Sequence, residues 1–549
     1  MTHSTPRIAI IAALVTSAAS ISAGAQTGDD AGSSIVIVTG QQATLPIPTL
    51  MEGAAANLAN TEIADQLFLR LAGLGPTLLT AGDRNFVPLL ASSWSRRDSV
   101  TLVFELNPRA RWHDGVPVTA RDVLFTMERA RNRALAPRLA EVLRHVSSVT
   151  AEGERRVVVR FSHTYAEQLY DATFHVAPIP AHLLDTIPAD ALSRSAFAAQ
   201  PVGTGPYRWV RSLPGQLIEL RRNDDFFLGK PKIARVIVQT AVDPDARINL
   251  MLSGQADAMD NIPPPLANIQ RLGAEPTLRL IPVPSPTIGY LLFNQREPRD
   301  RTRPHPILHD QRVRRAIGLA LDRRLLVRVI FGSYGEVPYG PASPILWIRH
   351  GAPAPERQNL PEARRLLASA GWKDSDGDGT LDREGRPLAL SLSLPNTSAI
   401  RKQMSVLIQE QLRGVGIRLE LQQSDGPIWN ERRAIGDFDI DFSAVTQDPS
   451  PTGLTQSWGC KGGNNVSRYC NPRVDSLMDR AVLGEGDPAQ HWRAVLRQIE
   501  ADVPAVFLYA PTYVYAVKRR FHNVRLNPVS SWLLLREWEL APASSSLSR

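Results

Sequence analysis

The chain of 549 residues is 43% hydrophobic and 21% charged, and 62 Lys and Arg against 54 Asp and Glu give a formal net charge of +8. This is a globular composition with room for about three or four structural units, which excludes fibrous, wholly disordered and disulfide-stapled small proteins. Lys and Arg never form a run of five, so nucleic-acid binding is not expected.

The N-terminal residues have the pattern of a secretory signal peptide. Arg7 precedes an apolar stretch at residues 8–15, and Ala23-Gly24-Ala25 form an A-x-A cleavage pattern before Gln26. A membrane anchor is the alternative, but a span needs about 20 apolar residues and this stretch is soon interrupted by Thr and Ser. We therefore expect residues 1–25 to be removed by cleavage after Ala25 and the mature chain to be exported.

The hydrophobic period changes several times along the chain, which predicts a mixed α/β fold. Residues 35–38 form a short β-branched run typical of a buried strand, and residues 100–106 alternate as a half-buried strand does. A helix is predicted to begin after Thr119, because Asp122 stands three residues on and completes a capping box.

Three further helices are predicted in the second half of the chain. Apolar residues recur at helical spacing from Val313 to Leu321, and Pro361 and Gly371 bracket a second helix. A third helix, at residues 400–414, leads through a glycine into a strand at 417–421. This helix-to-strand step is typical of an α/β unit.

Cys460 and Cys470 are the only cysteines of the chain. The residues between them are rich in Gly and Asn, so the loop is flexible enough to close, and export to an oxidising space favours one disulfide. A metal site is the alternative. It would need more ligands nearby, and the intervening residues include no His, Asp or Glu.

The sequence contains none of the common catalytic motifs, neither H-E-x-x-H nor G-x-S-x-G nor a glycine-rich phosphate loop. His305 and His309 form the closest histidine pair and are interpreted as surface or structural residues rather than ligands. Asp439 and Asp441 alternate along a strand and are interpreted as a solvated face rather than an acid–base pair. No enzymatic activity is expected.

One acidic loop resembles a calcium-binding loop. Positions 1, 3, 5, 6 and 9 of that pattern correspond to Asp374, Asp376, Asp378, Gly379 and Asp382. Position 12 is Gly385 instead of a bidentate Glu, so any calcium would bind weakly. A solvated turn stabilised by Asx hydrogen bonds is favoured over a calcium site, and no other cofactor is expected.

Several short segments follow one another in the order found in a known family. They are ASSW at 91–94, WHDGVPVTARDV at 112–123, PVGTGPY at 201–207, RNDDFF at 222–227, SGQAD at 253–257 and EARRLLASAGW at 362–372. Together they resemble the signature of the family 5 extracellular solute-binding proteins, the peptide- and nickel-type receptors of ABC importers. The resemblance covers essentially the whole mature chain.

The resemblance implies a two-lobed α/β periplasmic binding protein (type II, cluster C) with an extra subdomain on lobe I. When the lobes of the family are mapped onto this sequence, lobe I comprises residues 26–75, 200–285 and 510–549. The extra subdomain then comprises 76–199, and lobe II comprises 286–509. The end of the chain, from 541 to 549, is predicted to be disordered.

The function implied is that of a monomeric periplasmic receptor. It would capture a peptide or similar small solute between its lobes and deliver it to a membrane permease driven by a cytoplasmic ATPase. The ligand would bridge both lobes and so favour the closed state. The alternatives are an exported hydrolase acting on peptides or glycans, and a chaperone or signalling receptor built on the same scaffold.

The ligand is where the sequence departs from the dipeptide-binding relatives. Those proteins carry an Asp where Val445 stands here, and an Arg after an earlier strand that this chain lacks at the matching place. Burying an ammonium or a carboxylate without a partner is costly, so a short zwitterionic peptide held in that manner is not expected. A longer peptide held by its backbone and an uncharged solute such as an oligosaccharide both stay open. Nickel is less expected, because residues 440–470 include no His.

The resemblance also suggests which residues face the ligand. The candidates are Thr39 and Gly40 on lobe I, and Asn396, Ser398, Phe442, Gln447 and Asp448 on lobe II. Phe442 would supply apolar area, and Asp448 is the only acidic candidate. The alternative for Asp448 is that it caps the turn begun by Pro449 and never meets a ligand.

Overall fold

The computed structural model describes residues 33–541 except 53, 54, 56 and 299. The predicted signal peptide at 1–25 lies outside the described residues, as do residues 542–549 of the predicted disordered tail.

The first third of the described chain forms one strand of the main sheet and then a separate subdomain. Its strands are β1 (Ser34–Thr39), β2 (Ala72–Leu74), β3 (Phe86–Pro88), β4 (Ala91–Asp98), β5 (Thr101–Leu106), β6 (Val146–Ala151) and β7 (Arg156–Phe161). Its helices are α1 (Leu58–Leu67), α2 (Ala120–Arg131), α3 (Pro137–Val142), α4 (Gln168–Thr173), α5 (Ala181–Leu184) and α6 (Ala196–Ala199).

The next segment returns to the main sheet. Its strands are β8 (Tyr207–Leu213), β9 (Leu217–Arg222), β10 (Arg235–Thr240), β11 (Ala258–Met259) and β12 (Leu278–Pro284). Its helices are α7 (Pro244–Leu252) and α8 (Leu266–Gly273).

The remaining segment forms the second half of the main sheet and its covering helices. Its strands are β13 (Thr287–Phe293), β14 (Arg296–Glu297), β15 (Asp300–Pro304), β16 (Gly335–Glu336), β17 (Asp382–Arg383), β18 (Arg386–Pro387), β19 (Ala389–Pro395), β20 (Arg418–Ser424), β21 (Ile440–Thr446), β22 (Ala505–Lys518), β23 (Phe521–His522) and β24 (Glu539–Leu540). Its helices are α9 (Gln311–Ala320), α10 (Arg323–Phe331), α11 (Leu360–Ser369), α12 (Ala399–Arg413), α13 (Gly426–Ile435), α14 (Gly453–Trp458), α15 (Pro472–Leu483) and α16 (Pro488–Asp502).

The main sheet has two halves that share β22. Its strand order is β20-β19-β21-β13-β22-β11-β1-β10-β9-β8, and β12 and β16 also pair with β22. The start of β22 pairs with β13, with Ala505 opposite Leu292, whereas its end pairs with β12, with Lys518 opposite Leu278. We call the half containing β1 and β8–β12 lobe I, and the half containing β13 and β19–β21 lobe II. The chain therefore passes between the lobes twice, between β12 and β13 and within β22.

The apolar sequence of β22 explains its central position. Nearly all of its residues are buried, which requires a continuous apolar run rather than an alternating one. Tyr515 and Val517 pack in the core that lobe I shares with the subdomain, while Val506 and Leu508 pack in a core of lobe II. One strand thus contributes to the cores of both lobes.

The subdomain is built on the antiparallel sheet β4-β5-β7-β6 and the helix α2. The predicted capping box is present. The Thr119 side chain accepts from the backbone of Asp122, and the Asp122 side chain accepts from the backbone of Thr119. Asp122 also accepts a hydrogen bond from the indole of Trp112 at 3.3 Å. These local contacts fix where α2 begins against the subdomain core.

The structure corrects one interpretation of the acidic residues. Asp441 is not part of a solvated face, because β21 is an inner strand and the residue is fully buried. Its carboxylate accepts hydrogen bonds from the indole of Trp429 at 2.8 Å and from Arg433 at 3.2 Å. Asp439 bonds instead to His305 at 3.0 Å, so the two carboxylates have separate structural partners.

Candidate functional site

A crevice of about 340 Å³ lies between the subdomain and lobe II. The subdomain wall comprises Glu141, Val142, Arg144, Tyr170, Asp171 and His175, and the wall from lobe II comprises residues between 445 and 464. Two of the seven predicted ligand residues, Gln447 and Asp448, line this crevice, as does Val445.

Gln447 fixes the lobe II wall at the end of β21. Its backbone N–H donates to the carbonyl of Pro286 at 2.9 Å, and its side-chain amide donates to the carbonyl of Pro341 at 2.7 Å. Its amide oxygen accepts from the N–H of Ser343 at 2.8 Å. Because both ends of the amide are used within lobe II, Gln447 positions the next residue, Asp448.

Asp448 brings a negative charge to the crevice. The residue is exposed, and within the described part of the chain its side chain makes no hydrogen bond or ion pair. It interacts electrostatically across the crevice with Tyr170 and His175 of the subdomain. Its carboxylate therefore has hydrogen-bonding capacity that a ligand could use.

The subdomain wall opposite Asp448 is aromatic. Tyr170 is 1% exposed, stacks on Phe174 at 4.7 Å between ring centroids, and has a buried hydroxyl without a hydrogen-bond partner. Burial, followed by the charge of Asp448, raises the pKa of Tyr170, so the phenol is neutral. Burial also lowers the pKa of His175 to about 4, so its imidazole is neutral near pH 7.

Two acids with raised pKa values lie at this wall: Asp171 is part of it, and Glu167 is buried beside it. Burial raises the pKa of Asp171 to about 8, with a further contribution from the charge of Glu167, and the hydroxyl of Tyr165 donates to Asp171 at 2.8 Å. Glu167 accepts hydrogen bonds from the hydroxyls of Thr80, Ser450 and Thr452. Because the two hydroxyls at 450 and 452 belong to lobe II, this carboxylate connects the subdomain to lobe II.

The remaining charges at the crevice are paired. Glu141 forms ion pairs with Arg133 at 2.9 Å and with Arg144 at 3.2 Å. His175 makes no hydrogen bond with a hydroxyl among the residues that the structure describes. The crevice thus offers hydrogen-bonding groups and one carboxylate, that of Asp448, without a hydrogen-bond or ion-pair partner among the described residues.

The predicted lobe I residues lie at the end of β1 and are held by an acidic residue that sequence reasoning missed. Asp260 accepts from the hydroxyl of Thr39 at 3.1 Å and from the N–H of Gly40 at 2.9 Å. A Cβ at Gly40 would come within 2.1 Å of the guanidinium of Arg247, so a larger residue there would displace that side chain. Neither Thr39 nor Gly40 lines the crevice.

The other three predicted residues have structural partners within lobe II. Asn396 donates to Asp425, and Ser398 caps α12 by accepting from the N–H of Arg401. Phe442 is fully buried in the lobe II core with its ring 6.4 Å from that of Tyr509. Its side chain therefore presents no surface to a ligand in this conformation, because β21 points it toward the helices that cover the sheet.

Cys460 and Cys470 form a disulfide, as predicted, with their Cα atoms 4.4 Å apart. The enclosed loop is also held by Asn465, whose side-chain amide donates to the carbonyls of Gly459 at 2.9 Å and Tyr469 at 2.6 Å. The loop lies next to the crevice, which Asn464 lines.

The acidic loop brings three of its carboxylates together. Ligand atoms of Asp374, Asp376 and Asp378 lie within 4.8 Å of one another, and all three residues are exposed. Asp382 instead accepts from the N–H and hydroxyl of Ser375, and Asp374 accepts from the N–H of Gly377 at 2.8 Å. Asp376 and Asp378 each accept from the N–H two residues further on, as in Asx turns, and weak calcium binding at this loop stays a prediction.

The chain matches one family model over most of its length. The model for bacterial extracellular solute-binding proteins, family 5 Middle, matches residues 85–466. Among curated proteins, the oligopeptide-binding protein AppA of Bacillus subtilis (strain 168) is 26% identical over 440 residues, which are 78% of this chain and 79% of AppA.

Solved structures share the fold. The structure of AppA from Bacillus subtilis in complex with a nonapeptide has a TM-score of 0.73 at 24% identity, covering 93% of this chain and 99% of that one. NikZ from Campylobacter jejuni in complex with Ni(L-His) also has a TM-score of 0.73, at 19% identity, covering 92% and 99% of the two chains. Within the described residues, no helix has the length and apolar character needed to cross a bilayer.

Proposed function

The chain belongs to the bacterial extracellular solute-binding proteins of family 5, the receptors of ABC importers, and from that premise we propose that it binds a peptide or similar small solute in the crevice between the subdomain and lobe II. AppA, an oligopeptide-binding protein, supports a peptide-type ligand. An uncharged solute such as an oligosaccharide is the alternative within the same class.

One observation carries this proposal: the carboxylate of Asp448 lines the crevice without a hydrogen bond or ion pair from the described residues, opposite the aromatic wall that contains Tyr170. A carboxylate accepts hydrogen bonds. A ligand N–H or ammonium group would satisfy Asp448. A peptide offers such groups in its backbone and at its N-terminus.

Binding is proposed to proceed by closure of the lobes. The two chain passages between them, at the step from β12 to β13 and within β22, are the proposed hinge. A ligand that contacts both walls of the crevice binds the closed state better and shifts the population toward it. The residue ranges proposed for the lobes remain those predicted from the sequence.

The proposed context is the periplasm, after removal of residues 1–25 by cleavage following Ala25. The receptor would act as a monomer and deliver its solute to permease subunits that a cytoplasmic ATPase drives. No catalytic step is proposed, because the chain belongs to a family of solute-binding proteins.

The ligand can be identified by mass spectrometry of material that co-purifies with the protein, and its affinity can be measured by calorimetry. We expect Asp448→Asn to weaken binding by about 1–3 kcal/mol, because it removes the charge but keeps the shape. Asp479→Asn is a matched control, since Asp479 is exposed on α15 away from the crevice lining. Equal affinity of both variants and the parent would show that the ligand does not meet Asp448, and turnover of the bound solute would contradict the receptor function.

A further inference from the structure

An apolar groove of about 650 Å³ lies on lobe I and the adjoining subdomain hairpin and shares no lining residue with the crevice. Its walls are the hairpin β2–β3, the strand β12 and the segment between 524 and 537. Half-buried apolar side chains line it, among them Leu74, Leu89, Ile281, Leu526 and Leu533. Apolar surface gathered in a concave site of this size gains free energy when an apolar group covers it.

The groove is continuous with a charged hollow of about 610 Å³. Val524, Arg525, Arg536 and Glu537 line both, so one ligand could occupy the two together. Such a ligand would need an apolar part for the groove and a polar part for the hollow.

The hollow has an excess of positive charge, because four basic residues line it against two carboxylates, Glu537 and Glu539. Arg525 and Arg536 both pair with Glu537, whereas Lys232 and Arg279 form no ion pair with any carboxylate of the described residues. The guanidinium of Arg279 donates to the carbonyl of Phe521, and its Nε is buried without a partner. An anionic group would pair with the two cationic side chains, Lys232 and Arg279.

The strand β12 aligns the charge with the groove. Arg279, Ile281 and Val283 are two residues apart along β12, so they lie on one face of the strand. At about 3.3 Å per residue, Arg279 and Val283 are separated by about 13 Å. A molecule anchored by an anionic end at Arg279 would therefore extend past Ile281 into the groove.

We propose that the groove and the hollow together bind one molecule of an anionic amphiphile, a long acyl chain ending in a carboxylate. The acyl chain lies in the groove and the carboxylate lies at Arg279 and Lys232. This site is separate from the solute crevice and uses different residues.

The test uses the purified, delipidated mature chain, titrated with monomeric hexadecanoate in a calorimeter. Arg279→Gln removes the charge at the hollow, and Leu533→Glu places a charge in the groove. The control Arg221→Gln removes an exposed arginine of β9 that lines neither cavity. Circular dichroism and thermal melting establish that each variant is folded.

We expect hexadecanoate to bind the parent and Arg221→Gln equally, and both other variants at least tenfold more weakly. Hexadecanol should bind at least tenfold more weakly than hexadecanoate. Equal binding of the alcohol, parental affinity in Arg279→Gln, or binding to anionic lipid vesicles without binding to monomeric hexadecanoate would each overturn the proposal.

Discussion

The carboxylate of Glu167 accepts a hydrogen bond from the hydroxyl of Thr452, although 285 positions separate the two residues in the chain. Glu167 belongs to the subdomain and is 7% exposed, whereas Thr452 belongs to lobe II. Thr80 and Ser450 donate to the same carboxylate, and the indole of Trp347 donates to Thr80 at 3.0 Å. Because a buried carboxylate needs such partners, these bonds favour the arrangement in which subdomain and lobe II are in contact.

Replacing Glu167 tests this connection. Glu167→Ala removes the acceptor of three hydroxyl groups and should lower the free energy of unfolding by about 1–3 kcal/mol, measured by urea denaturation. Glu128→Ala serves as the control, because Glu128 is exposed on α2 and its loss should change the free energy by less than about 0.5 kcal/mol. If the two variants unfold at the same urea concentration, the hydroxyl contacts contribute nothing to stability.

The elements that the sequence predicts well are those set by neighbouring residues. The capping box of Thr119 and Asp122 places the start of α2, and Pro361 places the first turn of α11. The disulfide could also be predicted, because two cysteines in an exported chain leave one pairing. Each of these depends on contacts within about ten residues, which are visible in the sequence itself.

The candidate site could be predicted only in part, because its contacts join distant segments. Asp260 holds Gly40 across 220 positions, and Tyr170 faces residues of lobe II that follow it by nearly 300 positions. Phe442 illustrates a second reason. Since β21 is covered on both faces, its hydrophobic pattern does not reveal which side chains point into the core and which toward a ligand.

The burial of Phe442 leads to a prediction about stability. Phe442→Ala would leave a cavity in the lobe II core and should cost about 3–5 kcal/mol in the free energy of unfolding, measured by urea denaturation. Val406→Ala is the matched control, because Val406 is 57% exposed on α12 of the same lobe. A variant Phe442→Ala that keeps parental stability but loses solute binding would instead identify Phe442 as a ligand contact.

The disulfide should stabilise the loop that borders the crevice. Replacing both Cys460 and Cys470 by Ser removes a cross-link between two positions that are ten residues apart, and this increases the conformational freedom of the unfolded chain. The replacement should lower the free energy of unfolding by about 2–3 kcal/mol. Adding reductant to the parent should produce the same loss, and adding it to the double variant should change nothing. Urea curves of the parent that are identical with and without reductant would contradict a stabilising bond.

The raised pKa of Asp171 predicts how stability depends on pH. Burial, reinforced by the charge of Glu167, raises the pKa of Asp171 from 3.8 to about 8 in the folded protein. At a pH between these two pKa values, the folded state holds a proton on Asp171 that the unfolded state has released. The contribution of Asp171 to the free energy of unfolding is therefore fully present below pH 3.8. As pH rises, this contribution falls by up to about 1.4 kcal/mol per pH unit, and it levels off above about pH 8.

Asp171→Asn removes this titration while keeping an oxygen that can accept from Tyr165. Urea unfolding between pH 5 and 8 should therefore show a shallower loss of stability with rising pH in the variant than in the parent. His175 has the opposite sign, because burial lowers its pKa to about 4 and its contribution is lost as pH falls, but it is present in both proteins and largely cancels in the difference. Asp190→Asn, at an exposed carboxylate of the same subdomain, should reproduce the parental curve. Parallel curves for parent and Asp171→Asn would mean that Asp171 is already ionised in the folded protein, and that the subdomain wall carries its negative charge in addition to that of Asp448 on the lobe II wall.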